Sequence, residues 1–252
     1  CALVLAASLP ATHAASGDDR VLAAKDAVQR GDRIKLAKQL EAVRGHELEP
    51  YVEYWLLRLR LEEADSAELR DFLTRQSGSY LADKLRGEWL KTLGKRRQWD
   101  IFDAEYPPLV QTDQEITCYA LQNRLRLADL GALDEARPLW FVPAELPESC
   151  IPLMEQLIAD KRLGADDIWE RMRRLLEAKK LGAAKVAAAY LPASQAPAAR
   201  TLDAIADKPL RHLALLPPNF ASSRQGREMA LFAVQRTARS DPLQAAQQRE
   251  GI

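Results

Sequence analysis

Between Asp18 and Pro192 apolar residues recur at helical spacing in segments of roughly ten to eighteen residues, each closed by a glycine, a proline or a polar corner. In "RIKLAKQLEAVRG" (33–45) the stripe is Ile34, Leu36, Leu40 and Val43, and in "PYVEYWLLRLRLEE" (50–63) it is Tyr51, Tyr54, Trp55, Leu57 and Leu61. Segments this short bury one face only if a neighbour covers it, and turns of roughly two to eight residues make that neighbour the next segment. The pattern predicts an all-α chain of short antiparallel helix hairpins, about one pair every 30 to 40 residues, stacked as an α-superhelix or solenoid. No segment has the period-two alternation of a strand.

The hairpins are degenerate. "RLADLGALDEARPLWF" (126–141) has the G-x-x-x-E-A rhythm of a tetratricopeptide-like repeat and "KLGAAKVAAAYLP" (180–192) echoes it, with Gly182 read as ending one helix and starting the next. "PPLVQTD" (107–113) is the clearest early break, and "VPAELPESCIP" (142–152) is a proline-rich corner. A closed helical bundle is the competing architecture.

Residues 1–15 stand apart. An apolar run from Ala2 to Leu9, then Pro10 and small residues around Thr12, His13 and Ala14, resembles the end of a secretory signal peptide, with cleavage expected after Ala14 or Ala15. The run is too short to span a bilayer. The domain organisation expected is therefore a signal-peptide remnant, 1–15, followed by one superhelical domain, 16–252. The chain opens on a Cys and closes on a helical segment with no cap, so a fragment at both ends is expected.

Thirty-six basic residues balance thirty-six acidic ones, which removes the long-range field that would gather nucleic acid or anionic lipid. The mature chain would hold two cysteines, Cys118 and Cys150, and an oxidising compartment favours a disulfide between them over free thiols. Zinc is the other possibility, but His46 and His212 do not lie at ligand spacing from either cysteine. The five tryptophans, Trp55, Trp89, Trp99, Trp140 and Trp169, lie on apolar stripes and read as packing. Charge runs such as "GKRRQW" and "ERMRRLLEAKK" read as solvated helix faces. There is no Gly-rich phosphate loop, nucleophile elbow or H-E-x-x-H, and no cofactor or metal is expected.

A resemblance rests on the order of several segments: "LEPYVEYWLLRLRL" (48–61), "LADKLRGEWLKTLGKRRQWDIF" (81–102), "TCYALQNRL" (117–125), "GALDEARPLW" (131–140) and "PESC" (147–150). From about Asp32 to Pro192 the chain resembles the amino-terminal superhelical domain of the soluble lytic murein transglycosylases, periplasmic enzymes that cleave peptidoglycan. The paired cysteines also fit that family. The resemblance implies a U-shaped, monomeric, non-catalytic scaffold that meets glycan strands through a catalytic domain absent from this sequence. A free-standing periplasmic protein-binding adaptor is the alternative.

In that family the catalytic acid is a Glu followed by Ser, which draws attention to Glu148-Ser149. The family motif continues to Gly-Leu-Met-Gln about twenty residues later and then to Ala-Tyr-Asn. Here the first place holds "WERMRRLL" (169–176), and Ala189-Tyr190 lacks the Asn. Glu148 is therefore expected to cap the helix that Cys150 anchors, since an acid near a helix start suits the positive end of the dipole, and no residue of this chain is expected to be catalytic.

Overall fold

The computed structural model describes residues 16–250, and the apolar run read as a signal-peptide remnant lies outside them. The described residues form fifteen α-helices and three short 3-10 segments, with no strand. They divide into two compact units, one reaching Asp113 and one starting at Gln114, so the boundary falls at the end of "PPLVQTD".

The first unit contains α1 (Gly17–Gln29), α2 (Arg33–Ala42), α3 (Glu49–Leu59), α4 (Ser66–Arg75), α5 (Tyr80–Lys95) and α6 (Trp99–Glu105). Helix α1 starts at a capping box, in which the Ser16 hydroxyl accepts from the Asp19 N–H and the Asp19 carboxylate accepts from the Ser16 N–H. Its buried face, Val21, Ala24 and Ala27, meets Leu36, Val43 and Val52 from the following segments. Farther along, Leu69, Phe72, Leu85, Trp89, Leu90 and Phe102 are buried. Glu105 is also buried, at 7% exposure, and ties α6 back to two earlier helices through Arg70 (2.9 Å) and Arg86 (3.6 Å).

The second unit contains α7 (Gln114–Arg126), α8 (Gly131–Ala136), α9 (Ile151–Ala159), α10 (Ala165–Glu177), α11 (Leu181–Ala188), α12 (Ala199–Asp207), α13 (Pro209–Ala214), α14 (Arg224–Ala238) and α15 (Pro242–Glu250). The segment read as one helix over 132–141 is two pieces, α8 and a 3-10 turn from Arg137 to Phe141. Pro138 has no N–H to continue an α-helical ladder there. Trp140, Trp169, Leu153, Leu157, Met172, Ala184, Leu202 and Ile205 belong to one continuous core. In both units helices pack mainly on their neighbours in sequence, as in a solenoid.

Five helix ends share one turn. Gly31, Arg97, Ala128, Lys161 and Lys179 all have φ between 56° and 66°. In each case the next residue's N–H reaches back to a carbonyl of the preceding helix, as Asp32 does to Ala27 (2.9 Å), Gln98 to Leu93 (2.9 Å) and Lys180 to Leu175 (2.8 Å). This is the Schellman arrangement, and it satisfies carbonyls that a helix end leaves open. Five residues after the left-handed position comes a buried apolar side chain in four of the five turns: Leu36, Phe102, Leu133 and Ala184. The reading of Gly182 is thereby corrected. Lys179 makes the turn, and Gly182 is the second residue of α11.

Candidate functional site

The cluster Glu148-Ser149-Cys150 forms a 3-10 turn between the proline-rich corner and α9. The Ser149 and Cys150 side chains are bonded within the fold. The buried Ser149 hydroxyl donates to the Glu115 carbonyl (3.0 Å), and Gln122 Nε2 donates to the Ser149 carbonyl (2.5 Å). Cys118 and Cys150 are joined in a disulfide, S–S 1.99 Å, with both side chains fully buried. This turn is thus fastened to α7 by one covalent and two hydrogen bonds.

Glu148 stands in the first turn of this 3-10 segment, which runs directly into α9, but it does not cap that helix. The residue before α9 is Cys150, and no side chain makes a capping hydrogen bond there. Pro152, in the first turn, has no N–H for a cap to bind. Glu148 is exposed and lies instead at the mouth of a cavity of about 210 Å³.

That cavity is built around Arg171, which the reading of "ERMRRLLEAKK" as a solvated face did not anticipate. Helix α10 buries Ile168, Met172, Leu175 and Leu176, and Arg171 lies three residues after the first and four before the third, on the same stripe. It is only 4% exposed. The helix places its guanidinium beside residues 140–144, where the 3-10 turn ends and an irregular stretch containing Pro143 follows, so carbonyls there lack regular helical or strand partners. Arg171 Nη1 donates to the Trp140 carbonyl and, at 3.2 Å, to that of Val142, and Nη2 donates to the Ala144 carbonyl at 3.1 Å. The guanidinium carbon sits 4.9 Å from the Trp140 ring centroid, a cation–π contact. One turn later Arg174 donates to the Phe141 carbonyl (3.1 Å).

No carboxylate among the described residues pairs with Arg171, and burial pushes its pKa down to about 10. Trp140 is fixed from its other side, where its indole N–H donates to the Asp167 carbonyl (3.0 Å), and Tyr190 meets it edge-on at 5.7 Å. Met154, Ile151, Val186 and Ala187 complete an apolar wall, with Glu145 and Glu148 at the rim.

In the first unit a second recess, about 310 Å³, lies beside Ser79, Tyr80 and Val110. Its Asp83 carboxylate already accepts the N–H groups of Val110 (2.7 Å) and Gln111 (3.1 Å). No group of three or more His, Cys, Asp or Glu among the described residues is placed to hold a metal. Trp89, Trp140 and Trp169 are core residues, as their stripes indicate. No described helix is long and apolar enough to cross a membrane.

No sequence-family profile matches the chain, and no curated protein matches it. Solved structures do. The 70-kDa soluble lytic transglycosylase of Escherichia coli matches with a TM-score of 0.66 at 21% identity over 91% of this chain. A 70-kDa soluble lytic transglycosylase in complex with bulgecin A gives the same values. An inactive mutant of the lytic transglycosylase Slt from Pseudomonas aeruginosa matches with a TM-score of 0.64 at 23% identity over 92%. The chain spans 37% of the length of each of these proteins. It has their all-α superhelical fold over that part.

Proposed function

We propose that this chain is the non-catalytic superhelical scaffold of a periplasmic lytic transglycosylase acting in cell-wall turnover. The observation that supports the reading is the fold shared with lytic transglycosylases over 91% of the chain, against 37% of the first of those proteins. In this reading residues 1–15 are what remains of an export signal, and both units belong to one superhelical domain over 16–252. The scaffold acts as a monomer and reaches glycan strands through a catalytic domain that it holds in place.

The chemistry then belongs to a carboxyl group outside this sequence. It protonates the leaving sugar oxygen of the MurNAc–GlcNAc bond and afterwards takes the proton of the muramoyl 6-hydroxyl, so that a 1,6-anhydro ring closes in place of attack by water. One carboxyl serves both steps if an apolar cleft raises its pKa. In this reading Glu148 is not that group, since "WERMRRLL" (169–176) stands where the motif's Gly-Leu-Met-Gln would follow and Ala189-Tyr190 lacks the Asn.

The test is to read the coding sequence past codon 252 and to treat purified peptidoglycan with the complete product. A downstream Glu-Ser with Gly-Leu-Met-Gln and Ala-Tyr-Asn segments, and release of 1,6-anhydromuramoyl ends, are expected. A stop codon at that point would sink the scaffold reading. The chain would then be a free-standing periplasmic helical adaptor, which is the reading that the cavity beside Arg171 favours.

A further inference from the structure

We propose that the cavity beside Arg171 binds a short zwitterionic peptide, with its carboxylate on the guanidinium and its ammonium at the rim between Glu145 and Glu148. Three features converge on this ligand. The first is a buried cation with no carboxylate partner among the described residues. Three carbonyls take three of the five N–H groups of the Arg171 guanidinium, which leaves two for an outside acceptor. Carbonyl dipoles offset part of the desolvation of a buried charge, but only an anion neutralises it.

The second feature is size and lining. At about 210 Å³ the cavity exceeds the roughly 150 Å³ that holds a benzene molecule, so it has room for a carboxylate and one small side chain with the rest of a dipeptide in the mouth. Its walls are mainly apolar, from Trp140, Met154, Ile151, Val186 and Ala187. A phosphate dianion would find one buried cation and little else to hydrogen-bond.

The third feature is the sign of the rim. Glu145 and Glu148 both line the cavity and are the two carboxylates on its exposed side, beside the exposed Ile151 and Val186. They oppose a simple anion and favour a ligand whose positive end stays outside while its negative end goes in. A fatty acid would match Arg171 and the apolar wall but leave the two carboxylates without a partner. An amine would match the rim but meet the guanidinium inside. A peptide with free ends matches all three.

The experiment is calorimetric titration of the full chain with L-alanyl-L-alanine and, separately, D-alanyl-D-alanine. At least one should bind saturably at one site. The amide of the binding dipeptide, which lacks the carboxylate, should bind about ten- to a hundredfold more weakly, and its N-acetyl form several-fold more weakly. Arg171 also holds the 140–144 segment, so its replacement can unfold the site. Two surface changes avoid that problem. Val186→Trp, at a 63% exposed position, should block the mouth and abolish binding, and Glu145→Gln with Glu148→Gln should weaken the free dipeptide but not the N-acetyl form. Absence of saturable binding by either dipeptide up to about 10 mM overturns the proposal, since that limit corresponds to less than about 3 kcal/mol. Equal affinity for the amide, or for octanoate, overturns it as well. None of these outcomes depends on cleavage of peptidoglycan, so this proposal and the scaffold reading can fail separately.

Discussion

The guanidinium of Arg171 lies over the indole of Trp140, 4.9 Å from its centroid, and donates to the same residue's carbonyl. One side chain thus holds both the face and the backbone of a buried tryptophan, while two further carbonyls bring in 142 and 144. Arg171→Met keeps much of the stem's packing and removes every donor. It is expected to destabilise the second unit by about 2–4 kcal/mol, because buried carbonyls lose charged partners. Urea unfolding measures the loss, and hydrogen exchange should show weakened protection in 140–150. Unchanged stability would mean that the carbonyls find other donors and that Arg171 does not order this segment.

The disulfide closes a loop of sequence separation 32 between α7 and the turn before α9. Chain entropy alone gives such a link about 3–4 kcal/mol. Replacing both cysteines with alanine should lower stability by that amount or somewhat less, since Ser149 and Gln122 still bridge the same elements. A loss under about 1 kcal/mol in urea titration would show that the hydrogen bonds hold the turn without the covalent link.

Helix stripes make the architecture legible before any coordinates. Leu36, Phe72, Trp89, Leu175 and Trp169 are all buried where a 3.6-residue period puts them, although Ile34 and Tyr51, read on the same stripes, are exposed. Cys118 and Cys150 are paired, as the compartment argument favours. Two things stay hidden, each for a physical reason. The left-handed turns fall on Arg97, Ala128, Lys161 and Lys179 as well as on Gly31. At those places the burial of the following helix outweighs the cost that a side chain brings to the turn, so residue type does not mark the position. Arg171 escapes notice because its charge argues for the surface. Its spacing from Ile168 and Leu175 argues for the core, and the proline-broken segment above it supplies the acceptors that settle the matter.

The turn at Lys179 and the glycine three residues later are each in the other's favoured setting. Lys179 has φ 62°, which a side chain makes costly, while Gly182 lies exposed in α11 with nothing within 4 Å of an added Cβ. Lys179→Gly should stabilise by about 0.5–1 kcal/mol by relieving the left-handed cost. Gly182→Ala should add about 0.5–1 kcal/mol by removing unfolded-state entropy. The two positions lie three residues apart at one helix junction, so the double variant measures how far the two gains add. A destabilised Lys179→Gly variant would show that the lysine stem packs on α10 strongly enough to outweigh the strain.

His212, in α13, has its Nε2 buried without a hydrogen-bond partner, and burial lowers its pKa below the ordinary value of 6.5. The unfolded chain therefore binds a proton more readily than the folded one. The neutral ring's contribution is complete above about pH 6.5 and is lost progressively as the pH falls toward the depressed folded value. Asp129 and Glu135, held low by the Arg124 guanidinium, lose their contribution in the same direction, but only as the pH falls below about 4. The two effects are thus separated on the pH axis. His212→Gln should flatten the melting temperature between about pH 7 and pH 5 and leave the steeper fall below pH 4 unchanged. If the wild-type chain melts at the same temperature at pH 7 and pH 5, or if the variant keeps the wild-type slope there, His212 does not titrate in the folded state as its burial requires.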